Sequence, residues 1–157
     1  MFTIVQDTRE QIPLDFSFYT ECDGIEKRKL DTGDYSIVGR EQDIFIERKR
    51  TTAELAINLG VDKERFYKEL ERAKNIKWKY ILCEFTINDI LAFPENSGIP
   101  KYKWPSIKFR GKAMYTLCKK IESDYGISFV FCENANDAAN ELIKIFTMIE
   151  ESEGVGF

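Results

Sequence analysis

The chain contains no histidine. This absence excludes imidazole metal ligands, catalytic triads with a histidine base and all other histidine acid–base chemistry. The four cysteines are widely separated and no two form a C-x-x-C pair, so neither a zinc site nor a disulfide framework is indicated. Any catalysis must therefore come from carboxylates, lysine, tyrosine, cysteine or a bound metal ion.

Long apolar runs are also missing. No stretch approaches the ~18 apolar residues of a membrane span, and the N-terminus lacks the basic and then apolar segments of a secretory signal. With 157 residues, 43% of them hydrophobic, the chain can bury one good core but not two. We therefore expect a single domain over residues 1–150 with a tail over 151–157, no membrane partner and a cytoplasmic location.

The apolar pattern predicts alternating strands and helices without repeats or low-complexity linkers. The expected strands are 2–6, 26–31, 34–38, 43–49, 79–85 and 127–132. Residues 80–83 and 129–132 are continuous apolar runs, which are typical of fully buried strands. The expected helices are 52–59, 62–76, 86–92, 108–125 and 135–151, with a long loop over 94–105. This order predicts a three-layer α/β domain with a central mixed sheet.

The strand-like run 43–46 ends in Glu47-Arg48-Lys49, which is the only acid-x-Lys triplet in the chain. Alternate residues of a strand share a face, so Glu47 and Lys49 should project together, away from the core. Upstream, Gly33 can supply the positive φ of a turn that brings Asp34 beside them. Two carboxylates can hold a magnesium ion, and an ammonium group can stabilise developing negative charge. A bare Glu-x-Lys triplet is more often a solvated strand end, but its position after an apolar strand favours a phosphodiester-cleaving centre.

Four motifs occur in a fixed order along the chain. They are Asp7-Thr8-Arg9-Glu10, Gly33-Asp34-Tyr35, Glu47-Arg48-Lys49 and Arg65-Phe66-Tyr67. In order and approximate spacing they resemble the nuclease domain of the XPF-type (ERCC-four-type) structure-specific endonucleases, a branch of the PD-(D/E)XK superfamily. The resemblance covers residues 1 to about 150. It implies a restriction-endonuclease-like core, in which helices flank a central mixed β-sheet.

The resemblance also implies roles for individual residues. Asp34, Glu47 and the backbone carbonyl of Arg48 would bind Mg²⁺ or Mn²⁺, and Lys49 would be catalytic. Supporting catalytic roles would fall to Asp7 and Glu10, and DNA contacts to Arg9 and Arg65. An internal ion pair at a strand end is the alternative for Asp7, Arg9 and Glu10.

This sequence departs from the family pattern at one position. An aspartate usually follows the signature lysine by four positions, whereas this chain has Ala53 there and Glu54 next to it. Either Glu54 substitutes after a shift of one residue or that function is absent.

Charge is distributed unevenly although its net value is only −4. Residues 100–120 carry seven basic and no acidic groups, whereas residues 121–157 carry one basic and eight acidic groups. Basic residues interleaved with aromatic ones suit phosphates and unstacked bases. We therefore expect DNA contacts from the basic island, defined as Lys101, Lys103, Lys108, Arg110 and Lys112. A solvated loop and helix start is the alternative.

Together these observations predict a metal-dependent DNA endonuclease that acts at branched DNA or at junctions of single strand and duplex. A homodimer is compatible with the sequence. One alternative is a catalytically silent nucleic-acid-binding subunit, and another is a nuclease for RNA or another DNA geometry. Eukaryotic and archaeal relatives add a tandem helix-hairpin-helix module for which this chain leaves no room. We therefore expect a stand-alone version from a bacterium or a phage-infected host cell, with a role in DNA repair or recombination.

Overall fold

In the computed structural model, which describes residues 1–154, six strands form one mixed β-sheet in the order β2-β1-β3-β4-β5-β6. The strands are β1 (Phe2–Gln6), β2 (Cys22–Lys27), β3 (Tyr35–Ile37), β4 (Ile44–Lys49), β5 (Trp78–Cys83) and β6 (Ser128–Phe131). The helices are α1 (Thr52–Leu59), α2 (Lys63–Arg72), α3 (Ile87–Leu91), α4 (Gly111–Tyr125) and α5 (Ala135–Gly154), and Lys101–Ser106 form a 3₁₀ helix. In this described part of the chain, no helix is long and apolar enough to cross a membrane.

The strand directions bring three chain segments together at one end of the central strands. β3 is antiparallel to both β1 and β4, and Tyr35 lies opposite Gln6 on one side and Ile46 on the other. The end of β1, the start of β3 and the end of β4 therefore lie side by side at the same end of the sheet. β5 and β6 continue the sheet in parallel with β4.

The two faces of the sheet pack on different helices. Ile44 and Ile46 join the core beneath α5, where Phe146 is fully buried. Phe45, between them, joins the core beneath α1, α2, α3 and α4, together with Phe66. Because successive side chains of a strand point to opposite faces, this alternation places one helical layer on each side. The three-layer α/β fold with a central mixed sheet is thus confirmed.

Most predicted elements occur where the pattern places them, and α1 matches its predicted range. Strand β2 lies at 22–27, so the prediction of a strand over 26–31 was wrong. β2 is an edge strand with mostly exposed side chains, and it therefore lacks the apolar alternation that would mark it. β6 is the other edge strand, and Ser128 is exposed there while Val130 is half-buried, so it is not fully buried as predicted.

Two further differences concern loops and ends. The predicted loop over 94–105 contains most of the 3₁₀ helix Lys101–Ser106. Helix α5 continues to Gly154, so the first residues of the predicted tail are helical, and residues 155–157 lie outside the described part. Helix signals flank β6 on both sides. Gly126 ends α4 with φ of 65°, and Asn134 caps α5 by accepting a hydrogen bond from the N–H of Asp137 at 2.9 Å.

Candidate active site

Glu47 and Lys49 end strand β4 on the face opposite Ile46. Both side chains are buried, with 7% and 5% of their residue surfaces exposed. The ammonium of Lys49 lies 3.8 Å from Oε2 of Glu47 and 5.3 Å from the ring centroid of Phe66 on α2. The aromatic ring and the carboxylate together fix the position of this ammonium group.

Asp34 reaches Glu47 through a turn that only glycine can make. Gly33 has φ of +81°, and a Cβ there would lie 2.9 Å from the carbonyl oxygen of Ile46. The N–H of Asp34 donates to that same carbonyl at 2.7 Å, and Oδ2 of Asp34 accepts from the N–H of Arg48 at 2.8 Å. Backbone bonds therefore hold the Asp34 carboxylate against the end of β4.

The carboxyl of Glu47 shares its cleft with the carboxyls of Asp34 and Glu69. Burial and then the charge of Asp34 raise the pKa of Glu47 well above its usual range, against the opposing effect of Lys49. Within residues 1–154, no N–H or O–H group donates a hydrogen bond to this side chain. Buried carboxylates that face each other are stabilised by a cation between them, and oxygen donors are what Mg²⁺ and Mn²⁺ prefer.

The donor set at this position fits a divalent cation, with Asp34 and Glu47 as the residues that would hold it. In the described residues, no three acidic or cysteine side chains form a ready metal cage by themselves. The remaining coordination positions would therefore fall to backbone oxygen and water, as is usual for Mg²⁺. The part of the Arg48 carbonyl in this set remains a prediction.

These side chains line a cleft of about 350 Å³ between the ends of the central strands and helix α2. The cleft brings together six of the predicted residues, which are Asp7, Arg9, Asp34, Glu47, Lys49 and Arg65. Glu69 and Arg72 also line it and were not predicted. Both lie on the Arg65 side of α2 at helical spacing, four and seven residues further on. That spacing from Arg65 was the signal in the sequence that could have identified them.

Asp7, which is 1% exposed, forms an ion pair at the end of β1. It accepts hydrogen bonds from Nε of Arg9 at 2.7 Å, from Nη2 of Arg9 at 3.1 Å and from the N–H of Leu30 at 2.8 Å. Burial works against ionisation, but the bonds from Arg9 and Leu30 outweigh it and lower the pKa of Asp7. These contacts match the ion-pair alternative and leave the exposed guanidinium of Arg9 held at the rim of the cleft.

Glu10 lies on the other side of β4, outside the cleft lining. Nη1 of Arg48 donates to Glu10 at 2.8 Å, and Nε of Arg48 donates to Glu84. The hydroxyl of Tyr35 donates to Glu10 at 2.9 Å and accepts from the N–H of Leu14 at 2.9 Å. In this position Glu10 acts through Arg48 and the packing of β4, and a catalytic role for it remains a prediction.

Glu54 is engaged in the cap of helix α1. Its Oε2 accepts from the N–H of Arg50 at 3.1 Å, while its own N–H donates to Oγ1 of Thr51 at 3.1 Å. Thr51 is the N-cap of α1, and the Glu54 carboxylate adds a bond to the residue before it. Glu54 also lies 3.8 Å from the ammonium of Lys49, but it does not line the cleft.

The structure does not bring the basic island into the cleft lining. The ammonium of Lys101 lies 6.0 Å from the ring centroid of Trp104, and that of Lys103 lies 5.8 Å from the ring of Tyr102. Nη2 of Arg110 donates to the carbonyl of Trp104 at 3.1 Å. DNA contacts through the basic island remain a prediction.

Comparison with known proteins identifies a family for most of the chain. The sequence model of the ERCC4 domain matches residues 6–145. No curated protein sequence matches the chain. Solved structures similar to it include two of XPF from Aeropyrum pernix, and this chain spans just under two thirds of the length of each of those chains.

The first is XPF from Aeropyrum pernix, with a TM-score of 0.71, 17% identity and coverage of 99% of this chain and 64% of that chain. The second is XPF from Aeropyrum pernix in complex with DNA, with a TM-score of 0.67, 18% identity and coverage of 97% and 66%. At such identities the likeness establishes the fold.

Proposed function

This chain belongs to the ERCC4 domain family, and from that premise we propose that it is a divalent-metal-dependent DNA endonuclease. The observation that carries the proposal is an acidic pair, half-buried Asp34 and buried Glu47, which lies beside Lys49 in an open cleft. Within the described residues no N–H or O–H group donates a hydrogen bond to Glu47. Such a pair is costly to maintain in a protein that does not use it, because buried charges without partners destabilise the fold.

A bound Mg²⁺ or Mn²⁺ would polarise the scissile phosphate and lower the pKa of a water molecule. The protein itself supplies orientation and positive charge. Lys49 is held by Glu47 and by the ring of Phe66, so its ammonium is already placed to stabilise negative charge as the phosphodiester is cleaved. Arg9 and Arg65 line the same cleft, where they can bind the phosphates on either side of the scissile bond.

DNA is the proposed substrate because of the family and because one similar structure is XPF from Aeropyrum pernix in complex with DNA. We propose branched DNA, or junctions of single strand and duplex, as the preferred geometry. The further proposals are a homodimer and a cytoplasmic location in a bacterial or phage-infected cell. Light scattering of the purified chain would test the oligomeric state.

Two other functions are compatible with membership of the family. A silent DNA-binding subunit would need neither Lys49 nor a buried acidic pair, so the retained Asp34, Glu47 and Lys49 disfavour it. A nuclease for RNA would use the same three residues. Substrate tests, and not the geometry of the site, distinguish it from a DNA nuclease.

The decisive experiment is a cleavage panel on single-stranded, duplex, flap, fork and four-way-junction DNA, with a matched single-stranded RNA. Each substrate is incubated with magnesium, manganese or a chelator. An Asp34→Asn/Glu47→Gln double variant, purified in parallel, controls for contaminating nucleases. We expect metal-dependent cleavage of the branched substrates and none by the double variant. Full activity in chelator would refute the metal mechanism, DNA binding without cleavage would support the silent subunit, and cleavage of RNA alone would support the third function.

A further inference from the structure

We propose that Glu69 is the third acidic group of the cation site, where it accepts hydrogen bonds from water molecules that the bound cation retains. This inference rests on the proposed function and adds a positioning residue to it. The four sequence motifs do not include Glu69, which lies on helix α2 one turn after Arg65.

The packing of α2 sets the direction of the Glu69 side chain. Phe66 and Leu70 are the buried residues of this helix and anchor it to the core, with 2% and 0% exposure. Arg65, Glu69 and Arg72 follow the adjacent side of the helix, and all three line the cleft. Glu69 is half-buried there and lines the same cleft as Glu47. The hydrogen bond to Asp7 and the charge of Asp7 raise the pKa of Arg9, and the charge of Glu69 adds a smaller effect in the same direction.

The environment of Glu47 is the second observation. Its side chain is more than nine-tenths buried and faces into the cleft, and the nearest cation is Lys49 at 3.8 Å. Two further carboxyls, of Asp34 and Glu69, lie against it. Three acids that share one cleft repel one another unless a cation or a proton lies among them. Among residues 1–154, the Lys49 ammonium is the only cation that forms an ion pair with any of these three carboxyls, although Arg9, Arg65 and Arg72 line the same cleft. The three carboxyls are therefore short of directly paired positive charge.

Two other acids near the cleft already have partners. Asp7 accepts from Arg9 and from the N–H of Leu30. Glu54, which follows the alanine in the place of the family aspartate, accepts from the N–H of Arg50 in the cap of α1. Asp31 and Asp62 also line the cleft, but both are exposed. Glu69 is half-buried and its carboxyl accepts no hydrogen bond within residues 1–154, so it is the acid with the better position to serve a cation beside Glu47.

An indirect role for Glu69, through water bound to the cation, fits this arrangement of acids better than direct ligation of the cation. In the described residues, no three acids form a ready cage, whereas Mg²⁺ usually keeps several of its waters. A carboxylate beyond the direct ligands orients those waters and adds negative charge. Removal of such an outer partner typically weakens metal affinity by about 10–100-fold.

Metal binding without DNA tests the proposal independently of catalysis. Calorimetric titrations with Mn²⁺ and Mg²⁺ would compare the wild-type chain with Glu69→Gln, Glu69→Asp, Glu64→Gln and Glu47→Gln. Glu64 is the matched control, since it lies exposed on the same helix outside the cleft lining and its substitution removes the same charge. Circular dichroism and thermal melting of each variant would confirm the fold.

We expect Glu69→Gln to weaken affinity about 10–100-fold, Glu69→Asp to recover part of it, Glu64→Gln to leave it unchanged and Glu47→Gln to abolish it. If Glu69→Gln binds metal as tightly as Glu64→Gln while Glu47→Gln does not bind, Glu69 is a helix surface charge and the proposal is wrong. If the wild-type chain binds no divalent metal at all, the proposed function fails together with it. The two failures are therefore distinguishable.

Discussion

At the end of strand β4, the buried charges on its two faces differ in how completely they are paired. Arg48, 5% exposed, donates to Glu10, Glu84 and the carbonyl of Ile12, so its charge is neutralised on every side. Glu47, one residue earlier and 7% exposed, faces two other carboxyls and receives no donated hydrogen bond from the described residues. A buried charge with complete partners stabilises one conformation, whereas one with incomplete partners marks a site for a ligand or for chemistry.

The pleat of the strand explains why both kinds of charge occur in one triplet. Glu47 and Lys49 point toward the cleft, and Arg48 points toward the face that α5 covers. The triplet therefore has two functions, and they can be separated by substitution. Variants on the Arg48 face should lose stability, while variants on the cleft face should lose activity.

The largest expected effect is on catalysis, in Glu47→Gln. DNA cleavage should fall by on the order of 10³ or more, because the cation and the Lys49 ammonium lose a shared partner.

Without metal, the same variant should be more stable than the wild type at pH 8. Burial, and then Asp34, raise the pKa of Glu47 above its ordinary value of 4.5, so its ionisation opposes folding.

The sign of the pH dependence follows from this raised pKa. Glu47 stabilises the fold below pH 4.5, and that contribution is lost as the pH rises through the higher pKa of the folded state. Urea unfolding in chelator between pH 5 and pH 9 should show the wild type losing stability relative to Glu47→Gln. A constant difference between the two proteins over this range would contradict the unsatisfied state of the cleft face.

The next effect is on stability, in Arg48→Met. Removal of the guanidinium leaves Glu10 and Glu84 buried without their cation, which typically costs about 3–5 kcal/mol. Urea denaturation would measure the loss. Arg28→Met is the matched control, since Arg28 is 45% exposed in its pair with Glu26 and an exposed pair contributes about 0–1 kcal/mol. Equal losses in the two variants would show that the Arg48 network adds nothing specific.

A somewhat smaller effect is expected for Lys49→Ala. Turnover should fall by on the order of 10²–10³, the usual cost of removing one preorganised donor to the transition state. Single-turnover kinetics at saturating metal would separate this loss from weaker DNA binding. Lys49→Arg keeps the charge but changes its shape and should recover only part of the rate. Wild-type turnover in Lys49→Ala would reduce Lys49 to a structural charge above Phe66.

The sequence predicted the β4 face of this cleft better than the helical wall opposite. Strand alternation separates Glu47 from Ile46, and Gly33 marks the turn that delivers Asp34, so local pattern was sufficient there. Glu69 was missed because its place in the cleft depends on how α2 packs against the ends of the central strands. A sequence shows that Phe66 and Leu70 form an apolar stripe, but the strand end that the neighbouring side of the helix meets is a tertiary fact.

The same limit explains Glu10 and β2. The motif places Glu10 three residues after Asp7, yet the chain turns after β1 and carries it to the Arg48 face. Strand β2 is held at the sheet edge by backbone bonds to β1, for which side-chain pattern gives no signal. Local sequence indicates which residues are charged or buried, and long-range pairing decides which of them meet.

The smallest effect per residue concerns how this acidic protein binds DNA, and it compares cations inside the cleft with cations outside it. Each lost phosphate contact should reduce the slope of log K against log salt by roughly 0.7–0.9. We expect the variant with alanine at all five positions of the basic island to weaken binding and flatten the slope. Lys119→Ala/Lys120→Ala is the control, because these lysines pair with Glu122 and Asp124 on the same helix α4. Binding isotherms at several salt concentrations would compare these two variants with Arg65→Ala/Arg72→Ala. The comparison would show which cations contact the DNA phosphates. If only Arg65→Ala/Arg72→Ala changes the slope, DNA is held by the cleft wall on α2, and the basic island is a solvated surface on which Lys101 and Lys103 lie over the rings of Trp104 and Tyr102.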